Sequence, residues 1–165
     1  MFYKIKQWPR QIRQGIKSLI IWFPVIWQDR WYDHYFIYAI LRHKLHLMEH
    51  NIRLYGIHTK HIEDADKIKK CVILLDRLMK DEYHENVFKD HYKKWGEPKM
   101  RFEDYDKDPE LQELHIDYPK VQTEEDKKLQ TKEFRLKSKS VQEMINQDVE
   151  MLFTLMRKNI QTWWD

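Results

Sequence analysis

Apolar residues in this chain recur mostly at three- and four-residue spacing, the period of an α-helix. The longest such run enters through the aromatic stretch at Trp22 and continues to Arg53. Within it Trp31, Tyr35, Tyr38, Leu41, Leu45, Met48 and Ile52 fall on one face, which predicts a single long helix with a buried stripe. Asp29 is placed to cap its start, because a carboxylate accepts the free N–H groups of a first turn. Gly56 is placed to cap its end. The opposite face carries Tyr32, Phe36, Ala39, His43, His46 and His50 where a solvated face would carry Glu and Lys. Two non-solvent faces predict a helix central to its own domain or lying in a subunit interface.

The same period continues on both sides. Ile12, Ile16, Leu19 and Ile20 form a stripe among Lys4, Lys6, Arg10, Arg13 and Lys17. Packing of that stripe on its own domain is the leading expectation, with a partner or phosphate surface and a membrane surface as alternatives. A second long helix, starting at Thr59 or His61, carries Ile62, Ala65, Ile68, Val72, Leu75 and Met79, widened by Leu78. Its short connection to the first predicts antiparallel neighbours. A third follows through Val87, Phe88, Tyr92 and Trp95, with a break near 83–86, and stops at Gly96 and Pro98. Residues 97–122 hold no sustained period and predict an extended segment docked by Phe102, Tyr105 and Tyr118. Helix resumes near Thr123. Its polar section 127–139 projects into solvent or breaks near Ser138, and Ser140 to Glu143 has capping-box spacing before a last core stripe. That stripe is Val141, Ile145, Val149, Leu152, Met156, Ile160 and Trp163, which predicts a docked C-terminus. Only 134–141 hints at strand alternation. The expected fold is all-α: one domain over 1–165, an antiparallel, homo-oligomeric bundle of about four to five helices. Its parts are N-terminal helices to 96, the extended acidic segment 97–122, and C-terminal helices from 123.

Charge adds an asymmetry. The net charge of +3 hides ten Lys/Arg against three acids in residues 1–60, and four against eleven in 97–126. The acidic segment is therefore suited to cover the basic end of its own chain or of a neighbour. The single cysteine, Cys71, stands in an apolar run and reads as a buried, inert thiol. Without a disulfide framework or signal peptide, a reducing intracellular setting is expected. The apolar stretch 18–27 is half the roughly twenty residues a bilayer span needs and contains Pro24, so no transmembrane helix is predicted.

Candidate chemistry is sparse. His46 and His50 have the i, i+4 spacing that holds a zinc, and His43 shares their stripe, but Leu47 stands where the metalloprotease pattern requires Glu. A further ligand would have to come from His58, His61 or His91. Asp29, Asp33, His34, Asp66 and Asp76 lack the Glu-x-x-His spacing of di-metal bundles, and Asp29-Arg30 and Asp76-Arg77 read as ion pairs or ligand-orienting pairs. Three glycines leave no phosphate loop, dinucleotide fingerprint or nucleophile elbow. No cofactor and no catalytic activity are expected. What remains is rings interleaved with cations: Trp27, Arg30, His34 and Tyr35 at the helix entry, and Tyr92, Lys94, Trp95 and Arg101 around Gly96. Rings stack on bases while Arg and Lys meet phosphates.

In the stretches WFPVIWQDRWYDHYFIYAILRHKLHLMEH, CVILLDRLMKDEYH, HYKKWG and NIQTWWD the chain resembles a family of uncharacterised small helical proteins encoded by tailed bacteriophages. The resemblance spans the chain except residues 100–135. It implies a phage product acting in the host bacterial cytoplasm or in the virion, and supplies no site residues. Small phage proteins without catalytic motifs commonly act as decoys, one class sequestering nucleotide immune signals as homo-oligomers. The leading functional expectation is therefore a non-enzymatic, oligomeric sponge for an anionic aromatic molecule. Arg30, Lys94 and Arg101 would meet phosphate, Trp27, Tyr35 and Trp95 would stack, and His34 would hydrogen-bond. An assembly or virion component working through protein interfaces is the first alternative. A nucleic-acid-binding protein using the basic N-terminal helix is the second.

Overall fold

The computed structural model describes residues 8–30, 32–80, 82–105 and 108–164; side chains from 105 to 110 lie outside the description. Trp31, Lys4 and Lys6, to which the sequence assigned roles, and the ring of Tyr105 fall outside it. The order is α1 (Trp8–Trp27), α2 (Tyr35–Tyr55), α3 (His61–Met79), α4 (Glu82–Trp95), β1 (Lys99–Tyr105), β2 (Asp108–Asp117), α5 (Glu124–Asn159) and a closing 3-10 turn (Ile160–Thr162). The fold is mostly helical, but the two-stranded antiparallel sheet corrects the all-α expectation. The contacts divide the chain into two compact units, one of residues 1–79 with 152–165 and one of residues 80–151.

The first unit is built on α2 and α3. Arg42 pairs with Asp76, and Arg53 with Asp66 at 2.8 Å, so the two helices run antiparallel across the Gly56–Lys60 connection. Asp76 thus serves as an interhelix ion partner, though with Arg42 on the neighbouring helix. The core is Leu45 and Ile52 from α2 and Ala65, Ile68, Cys71, Val72, Leu74 and Leu75 from α3, closed by Leu152 and Trp163. Both predicted stripes are recovered at their centres. Cys71 is fully buried, and desolvation pushes its thiol up to about 11.

Four expectations fail here. The long helix from Trp22 is two helices, because residues 28–30 and 32–34 are not helical. The Asp33 N–H donates to the Arg30 carbonyl at 2.9 Å, and the Asp33 carboxylate accepts the Tyr35 N–H at 2.9 Å. Asp33, not Asp29, is the carboxylate that holds the start of α2. Tyr35 is exposed rather than core. And α1 buries none of its residues: its stripe of Trp8, Ile12, Ile16, Leu19, Phe23 and Ile26 faces solvent instead of packing on its own domain. Only Trp22 and Val25, on the other side of α1, are half-buried, with the Trp22 ring 4.9 Å from the His43 ring.

The second unit joins α4, the hairpin and α5 as far as residue 151. α4 buries Tyr83, Phe88, His91 and Trp95. It ends at Gly96, whose φ of +84° and N–H bond to the Tyr92 carbonyl (2.8 Å) make a left-handed C-terminal cap. The positive φ disfavours any side chain, and a Cβ there would stand 3.1 Å from the Pro119 ring, which would have to give by a few tenths of an ångström. The segment read as extended is the hairpin, registered Met100 to Ile116 and Phe102 to Leu114, with an irregularity at Asp104/Tyr105. The alternation was present in the residues but masked by charge on every second position.

α5 starts with a reciprocal capping box: Asp126 N–H donates to Thr123 Oγ1, and Thr123 N–H to the Asp126 carboxylate, both at 3.1 Å. It then runs unbroken for 36 residues through Ser138 and Ser140. The stretch 134–141 is helix, and the capping box read at Ser140 is unused. The inward face continues through polar side chains. Gln130 meets His91, Asp148 accepts from the Tyr83 hydroxyl, and Lys137 donates to the Val87 carbonyl at 2.8 Å. Among the described residues no helix is long and apolar enough to cross a membrane.

Candidate functional site

The eight residues expected to hold a ligand are divided between the units. In the first, Trp27 is exposed, and the Arg30 guanidinium donates to its own neighbours' carbonyls, Gln28 at 3.4 Å and Asp29 at 3.1 Å. His34 lies in solvent with Nδ1 3.7 Å from Asp33, and the Tyr35 ring meets the Phe36 edge. In the second, Lys94 donates to Glu133 at 2.5 Å and the buried Trp95 indole to the same carboxylate at 2.7 Å, with Lys94 4.5 Å above the Trp95 ring. These hydrogen bonds hold the Glu133 carboxyl below its ordinary value, Lys94 contributing most. Tyr92 leans on Phe88, and Arg101 is paired with Glu103 and Asp117. The two cations of this cluster therefore face carboxylates. Of the histidine stripe, His43 is half-buried against Trp22 while His46 and His50 are exposed. Among the described residues no three His, Cys, Asp or Glu side chains gather as metal ligands.

A different place in the first unit has the makings of a site. Lys44, Leu47, Met48, Asn51, Ile52 and Tyr55 lie at alternating three- and one-residue steps, which puts them on one face of α2. The 3-10 turn brings Trp163 and Trp164 against that face and encloses a cleft of about 390 Å³, within the roughly 300–1,000 Å³ typical of small-molecule sites. Ile52 and Trp163 are its buried apolar wall, at 5 % and 4 % exposure. Tyr55 and Trp164 are 71 % and 70 % exposed, two large rings left open. Lys44 has no carboxylate partner among the described residues, and Asn51 spends one amide N–H on the Leu47 carbonyl at 2.7 Å. The Trp163 indole N–H is buried without an acceptor, a condition buried tryptophans rarely keep. The cleft thus combines an apolar wall, two open rings, a free cation and an amide.

The second unit holds a buried titratable group. His91 is 1 % exposed and ringed by Phe88, Tyr118 and Phe134. The Gln130 amide lies 3.4 Å from Nε2 and, donating, leaves the ring proton on Nδ1, 3.8 Å from Glu133. Burial pulls His91 below its ordinary 6.5; Glu133 opposes this, and Lys137 and Lys94 reinforce it. A histidine whose folded value is depressed binds its proton more readily in the unfolded chain. Its stabilising contribution is complete above 6.5 and declines as pH falls from there through the folded value. Urea midpoints of the second unit should therefore drop between about pH 7.5 and about pH 5.5, and His91→Gln should flatten that dependence. An unchanged slope in the variant would assign the acid sensitivity elsewhere.

The cleft was missed because its walls are remote in sequence. The available signals were the terminal Trp163-Trp164 pair, expected to dock, and Tyr55 at the end of a helix face. Comparison with known proteins returns no matching family model, no matching curated protein and no matching solved structure, which leaves function to the chemistry of these side chains.

Proposed function

We propose that this protein is a non-enzymatic binding protein that captures a flat anionic molecule of the nucleotide kind in the Tyr55–Trp164 cleft. The observation that carries the reading is the pair of open rings over an apolar wall, beside Lys44, which is unpaired among the described residues. Rings exposed to this degree gain by stacking on a base, about 1–3 kcal/mol each. A lysine ammonium answers a phosphate as a point charge, and Asn51 keeps an amide oxygen for a base edge. The cleft replaces the sites expected around Arg30 and Lys94, whose cations are occupied by carbonyls and carboxylates.

Tryptophan quenching and calorimetry with the four nucleoside monophosphates, the matching nucleosides and inorganic phosphate test this. At least one monophosphate should bind saturably and more tightly than its nucleoside, and phosphate alone should neither bind nor compete. Equal binding of nucleoside and nucleotide would remove Lys44 from the account. No saturable binding by any monophosphate would overturn the reading.

A further inference from the structure

α1 carries a broad apolar arc bordered by cations of the same helix. At about 100° per residue, Ile12, Ile16, Leu19, Ile20, Phe23 and Ile26 project within an arc of about 120°. All six are more than half exposed. Trp8 and Trp27, at the two ends of the helix, fall on the same arc and are exposed as well. Arg13, Lys17 and Arg10 follow directly along one edge of it. None of the three has a carboxylate partner among the described residues, and α1 contains no acid. The helix is held to its unit from another side, where Trp22 meets His43 of α2.

This distribution is that of a helix lying in the surface of a bilayer. Such a helix sinks its apolar side about 5–10 Å, to the boundary of headgroups and acyl chains, while its basic side chains meet anionic headgroups. Arginine and lysine beside an apolar arc lay their methylenes along it and lift the charge to the phosphates. Tryptophan favours the same layer, where its ring is sheltered and its N–H finds water. A protein groove takes one line of anchors at three- and four-residue steps. Here the consecutive pairs Leu19-Ile20 and Ile26-Trp27 are all bare, which spreads the apolar surface beyond a single line. Nor do the hairpin carboxylates call for these cations, since Glu103, Glu113 and Asp117 are paired with Arg101 and His115. With three cations and Pro24 within it, α1 is not apolar enough to cross the bilayer.

We propose that α1 is a peripheral anchor that lies on an anionic lipid surface, with the Ile12–Ile26 arc inward and Arg10, Arg13 and Lys17 on the lipid phosphates. Apolar burial alone would hold the helix to any bilayer. Each cation near an anionic surface strengthens binding about fivefold more. Three of them favour anionic over neutral vesicles about 100-fold at low salt, and the preference shrinks as salt screens it. The anchor is separate from the Tyr55–Trp164 cleft, so either stands without the other.

The test uses the full chain with vesicles of phosphatidylcholine alone and of equal parts phosphatidylcholine and phosphatidylserine. The protein should sediment with the mixed vesicles about 100-fold more tightly than with the neutral ones. Arg10→Gln, Arg13→Gln and Lys17→Gln together should remove that preference, and Ile16→Asp should abolish binding. The melting temperature of each variant should stay unchanged, because all four positions are exposed. Depth is read with an environment-sensitive dye on Leu19→Cys and, on the opposite side of α1, on Gln14→Cys, the native Cys71 being buried and inert. Emission from Leu19→Cys should shift to the blue on the mixed vesicles, and emission from Gln14→Cys should not. Failure to sediment with the mixed vesicles would overturn the proposal. So would equal binding to both vesicle types, or binding that survives Ile16→Asp, which would place the contact elsewhere on the chain. A dye on Leu19→Cys already blue-shifted without lipid would overturn it as well, by showing the arc covered with protein. A dimer that Ile16→Asp dissociates would then identify that cover as a second copy.

Discussion

Trp164→Ala is expected to weaken nucleotide capture about 5- to 150-fold, the equivalent of the roughly 1–3 kcal/mol that one stacked ring contributes. The substitution is clean because the side chain is 70 % exposed and takes no part in the core, so the melting temperature should stay within error of wild type. Tyr55→Ala should act in the same direction, and the two losses should fall short of adding, because the rings face one ligand. Trp163 is no substitute, being core as well as wall. Lys44→Gln should cost less, and its effect should fade as salt is raised, as expected for an exposed charge. Trp27→Ala is the informative control: an equally exposed tryptophan of the same unit, outside the cleft. Binding lost with Trp27→Ala and kept with Trp164→Ala would move the ligand to the start of α2. Calorimetric titration with the best monophosphate reads wild type, the four single variants and the Tyr55/Trp164 double variant.

The largest effect on stability is expected at Phe88. Its ring is fully buried, 4.2 Å from His84 in a stacked arrangement and within 5.2–5.6 Å of Phe134, His91 and Tyr92. Truncation to alanine removes the transfer free energy of the ring and opens a cavity among side chains held by α4 and α5, a loss of about 3–5 kcal/mol. A loss of that size is a large share of the roughly 5–15 kcal/mol that keeps an ordinary domain folded. It also strips cover from His91, whose neutral form depends on that burial. Amide exchange should show protection lost across residues 82–95 and 130–148 and retained across 61–75. Exchange lost equally in both stretches would mean that the two units unfold as one.

Much of the helical layout was legible. The α3 stripe is buried at Ala65, Ile68, Val72 and Leu75 as its spacing required, and α4 stops at Gly96, whose positive φ beside Pro119 favours glycine. Cys71 and the docking of Trp163 followed from position within an apolar period. The hairpin was not legible: Arg101, Glu103, Glu113 and His115 occupy the alternate positions that a half-buried strand fills with uncharged polar residues. Their pairing with one another shows only when β1 and β2 lie side by side. The continuity of α5 was hidden for a related reason, since Gln130 and Asp148 look like solvent-facing residues until His91 and Tyr83 meet them.

The candidate ligand residues mark the same boundary. Ring-and-cation clusters adjacent in sequence suggested binding, yet a neighbour in sequence does not decide whether a cation is free. Lys94 and Arg101 are taken up by carboxylates from α5 and β2, while Lys44, inconspicuous in sequence, has none among the described residues and stands beside two open rings. The sequence by itself determined that the chain is mostly helical and which faces of α2 and α3 are apolar at their centres, because hydrophobic period is a local property of a chain. Only the tertiary structure decided which charges are paired, which apolar faces are left bare and where the cleft lies, because each of these depends on what a distant segment brings alongside.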